Sequence, residues 1–304
     1  MVSKKKFFFL PFLLLSTLVF AQTPFEKPEI FATSAILIEA QSGFVLYEKN
    51  ADTIIAPASL TKLMTLHLAY QQLKAKKIKK TDLVPITSKA WALKLPRHTS
   101  RMFLEPGQRV SVLELMRGIA IVSGNDATIA LAEYLEGSVK NFVAKMNEES
   151  KRLGLDSFYF EDTSGISPKN KITARQFAKF CQIYIQEHPQ SLQELHSHTK
   201  MIYPLKENLN PLIKRRRNKI LQHNNNTFLG RVKGVDGLKT GFISESGYNI
   251  ALSASQNNMR VIAVILGVFN NSPKQGVRQR YANGKKLLSY AFDYHTVYKP
   301  TFPS

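Results

Sequence analysis

The chain has 304 residues, 44% of them hydrophobic and 21% charged, which is long and apolar enough to bury a full core and excludes a wholly disordered chain. Its formal charge is +20. A single cysteine, Cys181, excludes an intramolecular disulfide framework.

At the N-terminus Lys4, Lys5 and Lys6 precede FFFLPFLLLSTLVF and the small Ala21. A basic segment, a short apolar run and a Val19-Phe20-Ala21 ending read as a secretory signal peptide cut after Ala21. The run is short for a full span, and an uncleaved anchor is the alternative. No cysteine follows it, so a lipoprotein anchor is excluded. An exported chain without a recognition motif does not bind nucleic acid with its charge. A basic surface favours anionic wall polymers or lipid headgroups, unless it only keeps the chain soluble.

Next, TSAILIEAQSGFVLYEKN predicts two strands around a turn at Gln41-Ser42-Gly43. PASLTK, residues 57–62, then opens a helix expected over Leu60 to Leu73. Ser59 and Lys62 share a helical face and can touch. A hydroxyl beside a neutral amine is an activated nucleophile; the plainer reading makes Ser59 a helix N-cap and Lys62 a solvated first-turn residue.

From Ser111 to Leu153 the pattern is helical in three pieces, with Gly137 and Gly154 at helix ends. ITARQFAKFCQIYIQ predicts another helix, with Cys181 a buried, inert thiol. The run KRRR at 214–217 reads as a solvated loop. YNIALSAS and MRVIAVILGVF predict strands joined by a turn at Gln256-Asn257-Asn258, and Tyr281 to Tyr294 a closing helix. No Cys/His cluster has metal-ligand spacing, and His196 and His198 fall in a polar stretch without partners. No metal and no cofactor are therefore expected. Strands at both ends with helices between them predict an α+β fold, an antiparallel sheet formed from both ends of the chain and flanked by helices, with an inserted helical lobe.

Two more motifs follow Ser59: Ser123-Gly124-Asn125 between helical segments, and Lys239-Thr240-Gly241 in DGLKTGF before the late strands. Alone, each reads as a capping loop or a strand end. In this order they resemble the motif set of penicillin-binding proteins and class A β-lactamases. With the tryptophan of KAWAL, RMFLEPG, SGND, RLGL and the Phe160 to Gly165 turn, SGYN and KKLL, the resemblance to the D-alanyl-D-alanine carboxypeptidases spans Ser34 to Phe292. It implies a β-lactamase/DD-peptidase-like fold, with the cleft between sheet and helical lobe. It implies a division into a signal peptide (1–21), a linker (22–32), a DD-peptidase catalytic domain (33–295) and a short tail (296–304). Relatives often carry a C-terminal β domain and a membrane-binding helix, for which the sequence shows no counterpart; family-style anchoring is not expected.

The resemblance implies a role for each matching residue. Ser59 attacks the carbonyl of the penultimate D-alanine, and Lys62 takes its proton. Burial and the neighbouring cation Lys239 hold Lys62 neutral. Ser123 relays a proton to the departing D-alanine, and Asn125 hydrogen-bonds Lys62 and the substrate backbone. Thr240 and Gly241 lie on an edge strand where substrate adds as a strand, and the N–H groups of Ser59 and Phe242 form the oxyanion hole. Arg280 binds the substrate carboxylate, with Lys239 the second candidate; the plainer reading makes Arg280 a solvated residue at a helix start. The implied partners are peptidoglycan stem peptides and β-lactam antibiotics as acylating inhibitors, in the periplasm or cell-wall space, with peripheral contact to anionic membrane or wall polymers.

There are departures from the family pattern. Asn224-Asn225-Asn226 replaces the usual Asn-Arg-Asn, removing one basic substrate contact, while Phe242 and Ile243 replace a polar residue and a threonine. Three other functions compete. A DD-endopeptidase would act on the same carbonyl in cross-links and depend less on Arg280. A β-lactamase would need a Glu-x-x-Leu-Asn loop, where this chain has FEDTSGISPKN and Glu161 without that pattern. An inactive wall-binding scaffold would have no reason to keep Ser59, Lys62, Ser123, Asn125 and Lys239 together.

Overall fold

The computed structural model describes residues 26–209 and 218–298. The signal-peptide expectation and the KRRR run fall outside the described residues. In chain order the elements are β1 (Ser34–Glu39), β2 (Val45–Lys49), α1 (Lys62–Lys74), β3 (Leu83–Pro85), β4 (Arg109–Ser111), α2 (Val112–Ile121), α3 (Asn125–Glu136) and α4 (Val139–Arg152). There follow α5 (Ala174–Glu187), β5 (Lys200–Tyr203), β6 (Ile220–His223), β7 (Val235–Ile243), β8 (Gly247–Gln256), β9 (Met259–Val268) and α6 (Pro273–Tyr298).

The main sheet has the order β2-β1-β9-β8-β7 and is antiparallel throughout. The first strand of the chain pairs with the last, Ile36 opposite Val264, so the sheet unites the two ends as expected. Period-two alternation divides it between two cores. Ile36, Ile38, Ile262 and Val264 face the helical lobe and α5. Ala35, Leu37, Ala263 and Ile265 face α6, against Leu287, Leu288 and Ala291. Buried on both faces, β9 is a continuous apolar run rather than an alternating one.

Within the lobe, α1 is buried over its whole first half, Lys62 to Tyr70, with α2, α3 and α4 packed around it. A helix buried all round needs no polar face, and it carries Lys62 into the interior. α2 starts with a capping box between Ser111 and Glu114, and α3 ends at the left-handed Gly137.

Four expectations need correction. Ser59 is not an N-cap: it lies in a 3-10 turn over Ala58–Thr61, Thr61 precedes α1, and neither caps with its side chain. α6 begins at Pro273, eight residues before the expected start, because its first turns are polar; proline suits the first helical position. The ribbons β3–β4 and β5–β6 escaped notice because strands of three or four residues carry too little alternation to read. His196, read as lying in a polar stretch without partners, is buried between α5 and β7, its ring 2.9 Å from the Tyr184 hydroxyl and 3.2 Å from the Leu238 carbonyl. Cys181 is buried, and burial pushes its thiol pKa up, which suits an inert thiol.

Candidate active site

The turn that carries Ser59 is strained and clamped. Ala58 takes φ +51°, a left-handed value an alanine adopts only where surroundings impose it. Two glycines permit the approach. A Cβ on Gly165 would lie 1.7 Å from the Ala58 carbonyl oxygen, and one on Gly241 would lie 2.8 Å from that of Pro57 and 3.0 Å from the Ser59 nitrogen. The Asn249 side chain donates to the Ala56 carbonyl at 3.1 Å and ties the turn to β8. The nucleophile candidate thus sits between α1 and the edge strand β7, with its amide against the backbone of Gly241.

Lys62 opens α1 and is fully buried. Its Nζ donates to Ser59 Oγ at 2.9 Å, Asn125 Oδ1 at 2.6 Å and the Ser164 carbonyl at 2.7 Å. Burial lowers its pKa to about 7, against the opposing pull of Asp162 and Asp126. That depression represents on the order of 5 kcal/mol of preference for the neutral amine. The expected help from Lys239 is not among the causes of this depression, which burial supplies. The coupling of the two amines shows at Lys239, held well below its ordinary value by burial first, then by the charges of Lys62 and Arg280.

The geometry then selects the chemistry. An ammonium satisfies all three acceptors with its three N–H bonds. A neutral amine keeps two N–H bonds and gains a lone pair. Neither the Asn125 Oδ1 nor the Ser164 carbonyl can donate to that lone pair, whereas the Ser59 hydroxyl can. The solvated first-turn reading of Lys62 does not survive its burial.

Around this pair lies a cavity of about 520 Å³, lined by Ser59, Ser123, Asn125, Thr240, Gly241, Phe242 and Arg280. Lys62 and Lys239 stand behind it, both buried. Ser123, at φ +60°, lines the cavity with a buried hydroxyl that has no hydrogen-bond partner. Such a group is costly to keep unless something else uses it. Asn125 is the first residue of α3. β7 is the outer strand of the sheet, so Thr240 and Gly241 lie on a free edge.

Arg280 is only 5% exposed and sits within α6, which rules out the solvated helix-start reading. Burial lowers its pKa to about 10, and it makes one long hydrogen bond, 3.4 Å to the Asn225 carbonyl. Its guanidinium lies 5.9 Å from the Tyr248 ring centre, and that ring lies 4.4 Å from the half-exposed ring of Phe242. Lys239 donates to the Thr240 carbonyl at 2.9 Å. Among the described residues neither Lys239 nor Arg280 has a carboxylate partner, so Arg280 gives the cavity a buried positive charge suited to an anionic ligand. Glu245 is the only carboxylate lining the cavity among those residues.

Three supporting residues were missed from the sequence. Ser164 holds Lys62 through a backbone carbonyl, which no side-chain motif encodes. Asp162 shapes that turn by accepting from the backbone of Ser164 and Ser167, at 2.7 and 2.6 Å. Asp126, one residue beyond the SGN motif, accepts from the N–H groups of Met102, Phe103 and Leu104. A carboxylate directly after SGN was the available signal. The Asn224-Asn225-Asn226 loop lines the cavity through its first two residues, and the Asn226 side chain donates to the Gly237 carbonyl at 3.2 Å.

Comparison with known proteins agrees with this geometry. The family profile described as D-alanyl-D-alanine carboxypeptidase matches residues 21–270. D-alanyl-D-alanine carboxypeptidase DacC of Escherichia coli (strain K12) is 38% identical over 296 residues, covering 96% of this chain and 69% of that protein. DacF of Bacillus subtilis (strain 168) is 37% identical over 271 residues, covering 88% of this chain and 64% of that one. The chain thus spans about two thirds of the length of these relatives. Penicillin binding protein 5 from Haemophilus influenzae superposes with a TM-score of 0.78 at 36% identity, over 90% of this chain and 73% of its own.

Proposed function

The chain belongs to the D-alanyl-D-alanine carboxypeptidase family, and from that premise we propose that it is a serine-type, penicillin-binding carboxypeptidase that removes the terminal D-alanine from peptidoglycan stem pentapeptides. The observation that carries the proposal is the buried Lys62 amine, poised near neutrality with the Ser59 hydroxyl as its one proton-donating partner.

In this mechanism Ser59 Oγ attacks the carbonyl of the penultimate D-alanine as its proton passes to Lys62 Nζ. The Ser59 and Phe242 N–H groups bind the developing oxyanion. The C–N bond then breaks, and the departing amine of D-alanine takes the proton held by Lys62, relayed through Ser123, whose hydroxyl has no other partner among the described residues. Water attacks the remaining ester as its proton passes to Lys62; the acyl–Oγ bond breaks, Lys62 returns the proton to Ser59 Oγ, and the shortened peptide leaves as its carboxylate. Asn125 fixes the Lys62 amine and the substrate backbone, and Thr240 and Gly241 hold the peptide along the edge of β7. Arg280, backed by Lys239, receives the terminal carboxylate. A β-lactam acylates Ser59 by the same attack. The cell-wall setting follows from the substrate: the enzyme works outside the cytoplasm, in the periplasm or wall space, its basic surface facing anionic wall or membrane polymers. Among the described residues no helix is long and apolar enough to cross a membrane.

The test is release of free D-alanine from a peptide ending Lys-D-Ala-D-Ala, compared with a cross-linked muropeptide, for the wild type and Ser59→Ala. Release from the linear peptide that disappears in the variant supports the proposal. Cleavage of the cross-link alone would replace it with an endopeptidase, and a folded protein that cleaves neither would end it.

A further inference from the structure

Further along α1, away from Ser59, lies a second polar cluster that the reaction does not use. His67 is fully buried, and its Nε2 lies 2.8 Å from Glu149 Oε1. Glu149 also accepts from Arg152 at 2.7 Å on each of its oxygens and from Gln71 Nε2 at 2.6 Å on Oε1. A carboxylate paired with Arg152 only accepts, so the neutral tautomer with its proton on His67 Nε2 completes this contact; the Gln71 amide nitrogen lies 3.0 Å from the same atom. In the neutral ring, Nδ1 is then a bare lone pair. It faces Nε2 of the buried His188 at 3.0 Å, and the carboxylate of Glu187, the last residue of α5, is close to both. The three ligand atoms lie within 4.8 Å of one another.

We propose that His67 Nδ1, His188 Nε2 and the Glu187 carboxylate form a binding site for a divalent transition-metal ion of the Zn(II) type, which staples α1 to the end of α5. Tetrahedral Zn–N bonds of about 2.0–2.1 Å set ligand nitrogens roughly 3.3 Å apart, a few tenths of an ångström from the spacing present. Glu187 is partly exposed at its helix end, with Oε2 3.9 Å from His188 Nε2. Two imidazoles and a carboxylate favour Zn, Ni or Cu over Ca or Mg. The Glu149 carboxylate on the far nitrogen of His67 is the outer partner that fixes a ligating ring and its tautomer.

Glu187 and His188 also line a cavity of about 250 Å³, open space beside the ligand atoms. Lys74 and Lys80 share that lining, and Lys80 is paired with Glu194. The two histidines are 121 residues apart, which is why no metal-ligand spacing shows in the sequence. A metal here would brace, from behind, the helix that carries Lys62.

The test titrates the purified, metal-stripped protein with Zn(II), and separately with Co(II), whose visible absorption reports low-symmetry coordination. Free Zn(II) at a hundredfold excess over Kd should raise Tm by roughly 5 °C. Co(II) should give intense visible bands. Glu187→Gln should weaken Zn(II) binding by about tenfold or more, and His188→Gln should abolish the Co(II) bands. Glu187 lies at the surface, so its variant keeps the test valid if the His188 variant does not fold. Absence of Co(II) bands and of any Tm shift in the wild type would overturn the proposal, leaving a hydrogen-bonded histidine pair. Binding unchanged in Glu187→Gln would do so too, because the metal would then lie elsewhere.

Discussion

The Lys62 amine nitrogen lies 2.9 Å from the Ser59 hydroxyl oxygen, and of the three groups around that nitrogen this hydroxyl alone can give it a proton. Burial holds the amine near pKa 7, so the proposed base and nucleophile are matched at neutral pH. The fold supplies this by starting a fully buried helix at Lys62 and holding the preceding turn against β7.

The pH dependence follows from that pKa. Below about 7 Lys62 is an ammonium with no lone pair, so acylation should fall as pH falls through that value and level off above it. Stability should carry the same group. Unfolded Lys62 titrates near its ordinary value, so between about pH 7 and 10 the unfolded chain binds the additional proton and stability rises with pH. Acylation rates and denaturation midpoints across that range check both signs. Lys62→Met should flatten part of the stability slope.

Lys62→Arg keeps a cation in place but cannot lose its proton. Acylation should fall by about 10²–10⁴-fold, the usual contribution of a general base. A variant that is folded by circular dichroism and retains near wild-type kcat/KM would show that Lys62 serves only as a positive charge.

Arg280→Leu removes a buried cation without a carboxylate partner among the described residues. A hydrogen bond to a charged group contributes about 1.5–3 kcal/mol, so kcat/KM for a peptide with a free C-terminus should fall roughly 10- to 100-fold. The C-terminal amide, which lacks the charge, should change little. Equal losses on both peptides would assign Arg280 a packing role with Tyr248 instead.

Gly165→Ala places a methyl group 1.7 Å from the Ala58 carbonyl oxygen at a φ of +82°. The turn before Ser59 has to shift, so penicillin acylation should drop by an order of magnitude or more, beyond the roughly 1–3 kcal/mol of backbone strain. Gly137→Ala, with positive φ but nothing within 4 Å, should cost stability alone. Measuring acylation rate and Tm for both separates clash from strain.

The sequence disclosed what is local or repeated: the periodicity of α2 to α5, the apolar run of β9, and three motifs whose order carries the resemblance. It could not disclose contacts made by backbone atoms. The Ser164 carbonyl on Lys62 and the Gly241 backbone against the Ser59 amide depend on the chain's path, not on side-chain identity. Nor could it distinguish a buried Lys62 from a solvated one, since α1 is flanked on all sides by elements distant in sequence. His67 and His188 meet for the same reason. The early start of α6 was hidden because its polar first turns lack an apolar stripe.

The central claim is that Ser59 is the nucleophile, and one measurement tests it most directly. The protein is treated with penicillin, digested with trypsin and analysed by mass spectrometry. The account predicts a single covalent adduct on the peptide from Asn50 to Lys62, absent in Ser59→Ala and formed more slowly below pH 7. An adduct on any other peptide, or a folded protein that stays unmodified, would contradict it.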